Sequence, residues 1–253
     1  MRIVRPVAVL GLAGLVVAAA FAGSAASSSR TAVLKHAPPA FLISHSDSLN
    51  WSGYASYSGV GTFTDVIGRW VQPSATCSKS TTYSSFWAGL DGYNSNSVEQ
   101  LGTEADCSHG RPVYYAWWEM YPNPSNTISG FTITPGVAYT AEVKYTGNGG
   151  FTLTLSGGGQ SFSKNATLTN PSLSSAEWIG EAPSMCAGSC RVLPLTDFGT
   201  VNFSGSSANG QAINNSAWSY DPMRMVTNGL VTKATPSNPD ATGSAFSVTW
   251  AHS

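Results

Sequence analysis

Charge is scarce in this chain. Asp, Glu, Lys and Arg make up only 10% of its 253 residues, against about 25% in an ordinary soluble domain. From Asn50 onward eight Lys and Arg stand against twelve Asp and Glu, a formal net charge of −4. No basic stripe is available to grip phosphates, which argues against a nucleic-acid partner. Histidine is equally thin, with only His109 and His252 after residue 49. Neither lies at a zinc-type spacing from the cysteines, so no metal site is expected. A serine triad is poorly supported too, because G-x-S-x-G is absent and candidate bases are few. No window of eleven residues after Asn50 repeats with a helical period. Beyond the first residues no long apolar run occurs, so no membrane contact is expected once the N-terminus is removed.

The N-terminus itself is distinctive. Met1-Arg2-Ile3-Val4-Arg5 is a short basic start, residues 7–22 are apolar without charge, and Gly23-Ser24-Ala25-Ala26-Ser27 is a small-residue cleavage context. That order predicts a signal peptide over residues 1–26 and a secreted, extracellular product. Residues 27–48 form a polar stretch around Pro38-Pro39, to be read as a short prosegment, a linker or a disordered tail. Arg30, Lys35, His36 and His45 against the single Asp47 make it basic, so it could latch over an acidic cleft. Four cysteines, Cys77, Cys107, Cys186 and Cys190, follow in the expected exported domain. An even count there predicts two disulfides. Of three connectivities, Cys77–Cys107 with Cys186–Cys190 is favoured, since the second pair closes a small C-x-x-x-C loop.

Residues 49–253 are long enough for one domain with a sizeable core, expected as a monomer. Their pattern is strand after strand. Residues 131–134 lead to a Pro135-Gly136 turn, residues 138–145 alternate, Gly147-Asn148-Gly149-Gly150 turns, and residues 151–155 alternate again. Such hairpins, with further short strands near residues 200–203, 223–226 and 245–250, predict an all-β antiparallel sandwich or jelly roll.

Residues two apart in a strand share a face, which sorts the polar groups. Tyr115, Trp117, Glu119 and Tyr121 share one face, opposite Tyr114, Ala116, Trp118 and Met120. Trp87, Gly89 and Asp91 oppose Phe86, Ala88 and Leu90. Gln100 and Glu104 share a face with Gly102 between them, and Glu177, Ile179 and Glu181 share another. If these faces line one concave surface, Trp87, Asp91, Gln100, Glu104, Trp117, Glu119 and Glu177 converge in an aromatic, acidic groove. If they do not, they are scattered positions on solvent-facing strands.

An ordered set of motifs adds a family. Trp87-Ala88-Gly89-Leu90-Asp91-Gly92, Glu99-Gln100-Leu101-Gly102, Tyr115-Ala116-Trp117-Trp118-Glu119-Met120-Tyr121-Pro122 and Ala176-Glu177-Trp178-Ile179 follow one another. Together with Asn50-Trp51-Ser52-Gly53-Tyr54 and Gly68-Arg69-Trp70, they resemble the glutamic peptidases, or eqolisins, over essentially residues 50–253. The resemblance implies two bent antiparallel sheets of concanavalin-like or jelly-roll type around a concave cleft. It implies a catalytic Gln100 and Glu177, with Trp87, Asp91, Glu104, Trp117 and Glu119 around them. Protein or peptide substrates, no cofactor, an acid pH range and insensitivity to pepstatin go with it. The Asp91-to-Gln100 spacing is one residue shorter than in fungal members, and Glu104 stands where an Asp is usual.

The chemistry fits such a pair. Amide hydrolysis needs an activated water, an oxyanion site and a proton for the leaving amine. A glutamate can exchange the protons, while a glutamine offers both a donor and an acceptor without titrating. Asp91 and Glu104 are expected to hold Gln100 and tune Glu177, and the tryptophans to wall the site. A rival reading is a β-sandwich glycoside hydrolase using Glu119 and Glu177, and a third is a non-catalytic carbohydrate-binding module.

Overall fold

The computed structural model describes residues 31–36 and 46–253, with the backbone alone at residues 42–44. The predicted signal peptide, residues 1–26, lies outside the described residues. Every regular element among the described residues is a β-strand. A first sheet runs in the order Asn126–Thr127, Ala116–Tyr121, Val98–Glu104, Ser85–Leu90, Ser175–Glu181, Trp51–Tyr57, Ser219–Val226. Pairing continues through Thr232–Pro236 and Phe246–Trp250 into Thr200–Ala208, Asp65–Val71, Ala138–Gly147, Gly150–Gly157 and Gln160–Thr167. The register shifts between Met225 and Val226 where the chain passes from one sheet to the other, which is how strands turn sandwich corners. The all-β sandwich read from the alternation is the fold observed.

The strands of the second sheet carry the expected two-residue period. Ala138–Gly147 and Gly150–Gly157 bury Tyr139, Ala141, Val143, Phe151, Leu153 and Leu155 on one face and leave the other partly exposed. Those side chains meet Phe86, Ala88, Leu90, Leu101 and Trp178 from the first sheet in one continuous core. Two indoles bridge the layers: Trp70 Nε1 donates to Thr103 Oγ1 at 2.8 Å, and Trp178 Nε1 to the Ile67 carbonyl at 2.7 Å. Satisfying each indole N–H lets these rings bury fully without an orphaned donor.

The central strands of the first sheet differ. Ser85–Leu90, Val98–Glu104 and Ser175–Glu181 are buried along their whole length. One face meets the inter-sheet core. The other carries a second cluster of Trp51, Ala55, Trp87, Tyr93, Val98, Trp117, Ile179 and Met223. Antiparallel sheets commonly leave one face to water; this one sinks its polar face inside a groove.

The cysteines pair as favoured, Cys77 with Cys107 and Cys186 with Cys190. The second bond closes the hairpin of Ser184–Cys186 and Cys190–Val192. Val33–Lys35 adds to that hairpin as a third, antiparallel strand. Asp47–Ser48 pairs in parallel with Ser219–Val226. The compact unit containing the sandwich therefore begins at Thr31, ahead of residue 49.

Candidate active site

Register decides which polar residues meet. Glu119 lies opposite Gln100, Gln100 opposite Gly89, and Gly89 opposite Glu177. The four positions form one row across four strands. With strands about 4.8 Å apart, Gln100 and Glu177 are separated by about 10 Å at the backbone. Between them stands a residue with no side chain. A Cβ at Gly89 would lie 3.0 Å from Gln100 Cβ and from the Glu99 carbonyl, and 3.1 Å from Trp87 Cζ3. Gly89 thus keeps open the space that the two side chains flank.

The neighbouring rows wall this space. Ile179, Trp87, Gly102 and Trp117 lie side by side in the next row. Gly102 gives the two indoles room, for a Cβ there would sit 2.6 Å from Trp87 Cβ and 2.2 Å from the Phe86 carbonyl. Trp87 Nε1 donates to Glu181 Oε2 at 2.8 Å and meets Trp51 edge to face at 4.8 Å. Trp117 Nε1 donates to Ser85 Oγ at 3.1 Å. Glu181, Ser85 and Glu104 form the third row.

The groove is occupied by His36. Its ring stacks on Trp117 with centroids 3.4 Å apart and planes 3° from parallel. Nε2 faces Glu104 Oε1 at 2.7 Å, and Nδ1 faces Glu119 Oε2 at 3.0 Å. The His36 amide also donates to Glu119 Oε2 at 2.9 Å. Gln100 Nε2 donates to the His36 carbonyl oxygen at 2.7 Å. Among the described residues, nothing donates to Gln100 Oε1 or to either carboxyl oxygen of Glu177 with good hydrogen-bond geometry, although all three atoms are buried.

The family model for the Peptidase A4 family matches residues 49–246. The chain belongs to the Peptidase A4 family. Membership makes it a glutamic-type endopeptidase, a hydrolase acting on peptide bonds. The fold agrees with solved glutamic peptidases. A crystal structure of scytalido-glutamic peptidase with a transition state analog inhibitor superposes with a TM-score of 0.69 at 23% identity, covering 80% of this chain and 98% of that one. SCP-B, of the eqolisin family, in complex with the tripeptide Ala-Ile-His, gives a TM-score of 0.64 at 22% identity over 80% and 98% of the two chains. Aspergilloglutamic peptidase from Aspergillus niger gives 0.57 at 23% identity over 67% and 99%. No curated protein matches the sequence.

Of the residues singled out from the sequence, the peptidase brings Gln100, Glu119, Glu177, Trp87, Trp117 and Glu104 onto one groove face. Two of them act differently from the expectation that they hold Gln100. Asp91 has a φ of 66°, so it leaves the strand alternation at the end of Ser85–Leu90. Its carboxylate accepts the backbone N–H of Leu173 at 2.7 Å and of Ser174 at 2.8 Å, and the Ser174 hydroxyl at 3.2 Å. It thereby sets the approach to the strand carrying Glu177. Glu104 binds the His36 ring. Sequence reasoning placed His36 in a basic segment but not among the site residues, and its tract has no periodicity to mark it. Trp51 and Glu181 also lie outside the predicted site: Glu181 shares a strand face with Glu177, whereas Trp51 stands on a strand without any predicted site residue and joins the groove through its contact with Trp87.

The electrostatics follow from burial. Glu177 is raised well above the usual carboxylate range, first by desolvation and then by repulsion from Asp91 and Glu99, with the Ser175 side chain and the Tyr93 backbone partly offsetting this. Burial likewise pushes Glu181 and Glu104 well up, and Glu119 to about 8. Asp106, beside Glu104, is raised to about 7 by burial. The His36 imidazole is lowered by burial. Burial favours neutral forms on both sides of the His36 contacts. Each of its two ring hydrogen bonds needs one proton, which a neutral imidazole supplies on one side and a protonated carboxyl on the other.

Proposed function

We propose that this peptidase is a secreted acid endopeptidase in which Glu177 activates the water and Gln100 orients it and stabilises the oxyanion. The observation that carries the reading is the pair of groups flanking Gly89. Gln100 Nε2 already binds a peptide carbonyl oxygen, while among the described residues nothing donates with good geometry to Gln100 Oε1 or to the Glu177 carboxyl oxygens. A water between the two side chains would donate to both. Ionised Glu177 takes its proton as the oxygen adds to the carbonyl carbon, then returns it to the leaving nitrogen. The Gln100 amide holds the oxygen that gains charge, and loss of one such donor typically costs about 3–4 kcal/mol.

Glu177 must be ionised to act as the base. Its raised pKa belongs to the closed groove, where His36 and the indole walls exclude solvent. Water and peptide entering the groove resolvate the carboxylate, and donors to the charged form bring the pKa down. Acid-range activity is the property of that open state. The two disulfides and the signal-like N-terminus support secretion. Pepstatin insensitivity goes with a site in which a glutamine replaces one carboxyl of a pair. The tripeptide complex of SCP-B supports a peptide as the ligand of this groove.

The glycosidase reading is disfavoured by the row itself. Glu119 and Glu177 are three strand spacings apart, about 14 Å at the backbone. A glycosidase pair needs carboxyls roughly 5–9.5 Å apart and leaves Gln100 without a role. The test is hydrolysis of denatured casein across the acid to neutral range, with and without pepstatin, comparing wild type with Gln100→Ala and Glu177→Gln. Acid-range activity that survives pepstatin and is lost in both variants is the expected result. Full activity in either variant refutes the assignment.

A further inference from the structure

The register shift at the sandwich corner turns a lysine inward. Met225 lies opposite Ala234 and Val226 opposite Thr232, so Lys233 is the extra residue on that side of the ladder. Its carbonyl accepts the N–H of Ala251 at 2.7 Å and of His252 at 3.1 Å, which fixes the backbone from the other side. Bulges re-aim side chains and are common beside functional sites. Lys233 and Ala234 are both buried, although they are neighbours in one strand, and Lys233 is only 7% exposed. Lysine is almost never buried so far without a partner. Among the described residues, Lys233 Nζ has neither an ion pair nor a hydrogen bond. Burial lowers its pKa to about 8, so it stays charged through the acid and neutral range at a cost in desolvation.

Lys233 borders a cavity of about 460 Å³ with Leu49, Leu193 and Val226 in its walls and the exposed Arg191 at its edge. Among the described residues no Asp or Glu side chain lines it. Ser253 also borders it, but its hydroxyl donates to the Leu195 carbonyl at 2.8 Å and its main-chain oxygen meets His252 Nδ1 at 2.6 Å. We infer that this cavity binds the carboxylate of a small ligand with an aliphatic body, the carboxylate on Lys233 and Arg191 and the body against Leu49, Leu193 and Val226. None of these residues belongs to the catalytic row, so the site stands whether or not Glu177 and Gln100 have the roles proposed above.

The ligand class follows from the lining. A carboxylate brings two oxygens to two cations, and a guanidinium fork matches its plane. Ligand cavities of this size are largely apolar with a few polar groups that fix orientation. A compact anion such as phosphate would engage the cations and leave the hydrocarbon walls unfilled. An uncharged aliphatic molecule would fill the walls and leave the ammonium unpaired. Two sources offer the required chemistry: free aliphatic acids, and the C-terminal carboxyl group that peptide hydrolysis creates on one product of every turnover.

The test titrates the full chain as secreted with hexanoate, hexanamide, N-acetyl-leucine, N-acetyl-leucine amide and inorganic phosphate, read by calorimetry and by Tm. At roughly pH 6 carboxylates are ionised and Lys233 is charged. At least one carboxylate is expected to bind, raising Tm by roughly 5–11 °C at about 100 times its Kd. Its amide and phosphate should bind at least about 30-fold more weakly. Lys233→Met should weaken carboxylate binding at least about 30-fold, with casein hydrolysis unchanged and the ligand-free Tm no lower than wild type, because a desolvated charge has been removed. Arg191→Ala, at an exposed position, should weaken binding about two- to fivefold and keeps the test independent of how Lys233→Met folds. Binding of hexanoate alone supports the site with free aliphatic acids as its ligands; binding of N-acetyl-leucine supports it with peptide C-termini. Equal affinity for a carboxylate and its amide, phosphate binding as tight as either carboxylate, or wild-type affinity in both variants overturns the inference. So does the lack of any carboxylate binding with a Kd below roughly 10 mM. A ligand-free Tm of Lys233→Met well below wild type shows that the ammonium is already satisfied and also overturns it.

Discussion

Gly89→Ala is the most local perturbation of the catalytic row. It adds one methyl group, touches neither Gln100 nor Glu177 chemically, and fills the space between them. The added carbon would stand 3.0 Å from Gln100 Cβ, 3.0 Å from the Glu99 carbonyl oxygen and 3.1 Å from Trp87 Cζ3. All three belong to buried residues, so relief requires a shift of a few tenths of an ångström in strands packed on both faces. Overpacking of this kind costs about 1–3 kcal/mol. For a domain of this size that lowers Tm by roughly 2–4 °C per kcal/mol, so a fall of roughly 2–12 °C is expected. The catalytic loss should be larger than the stability loss implies. Misplacement of a positioning group by an ångström can cost about 100-fold, and the Gln100 amide contributes most when charge develops on the oxygen. The expected result is a fall of about 100-fold in kcat/KM on a casein-derived peptide, carried mainly by kcat. Gly59→Ala is the control, since a Cβ there has no neighbour within 4 Å. If Gly89→Ala keeps wild-type kcat/KM and Tm, the space over Gly89 is not where the reaction occurs.

Three further outcomes are expected. Glu177→Gln should lower kcat by about 100- to 10,000-fold, the range of general acid–base contributions, and its Tm relative to wild type should rise from acid to neutral pH, because it removes the need to keep a buried carboxyl protonated. Stability of the whole protein should be greatest in acid and fall with rising pH. Asp106 and Glu119 have folded-state values raised to about 7 and about 8, so their contribution is complete below the unfolded carboxylate range and is lost as pH climbs through those values; urea midpoints that rise from acid to neutral pH would refute this. Removing the Cys77–Cys107 bond, which closes a loop with a sequence separation of 30, should cost about 4 kcal/mol, and removing Cys186–Cys190, with a separation of 4, about 2 kcal/mol.

The period-two alternation carries a great deal of this site. It places Trp117 with Glu119, Gln100 with Glu104 and Glu177 with Glu181, and the structure keeps each pair on the groove face. What alternation cannot supply is register between strands far apart in sequence. That Gly89 lies between Gln100 and Glu177 depends on pairings across 11 and 88 residues, set by the packing of both faces together. Alternation also misleads where the backbone leaves the strand. Asp91 reads as a third residue beside Trp87 and Gly89, but its positive φ carries the carboxylate onto the Leu173 and Ser174 amides. His36 was invisible for a different reason. A three-residue strand within a polar tract has no pattern to display, and its place is fixed by a ring stack and carboxyl contacts from residues 68 to 83 positions away.

Why Glu177 should be the base, among so many buried carboxyls, can be argued from hydrogen-bond satisfaction alone. Buried polar groups are normally paired because an unpaired one costs about 1–3 kcal/mol. Glu181 has Trp87 Nε1, Glu104 and Glu119 share the His36 ring, and Asp91 has the two amides and a hydroxyl. Asp221 takes the Ser46 hydroxyl and amide and the Tyr93 hydroxyl. Glu99 and Glu177 alone keep both oxygens without a partner of good geometry among the described residues. Glu99 projects to the other face of its strand, alongside Leu101 and Thr103 and away from Gln100. Glu177 stands in the catalytic row, separated from Gln100 only by a glycine. Of the groove carboxyls, Glu177 alone keeps both oxygens without such a partner among the described residues, which supports the proposal that it acts on a water arriving with the substrate.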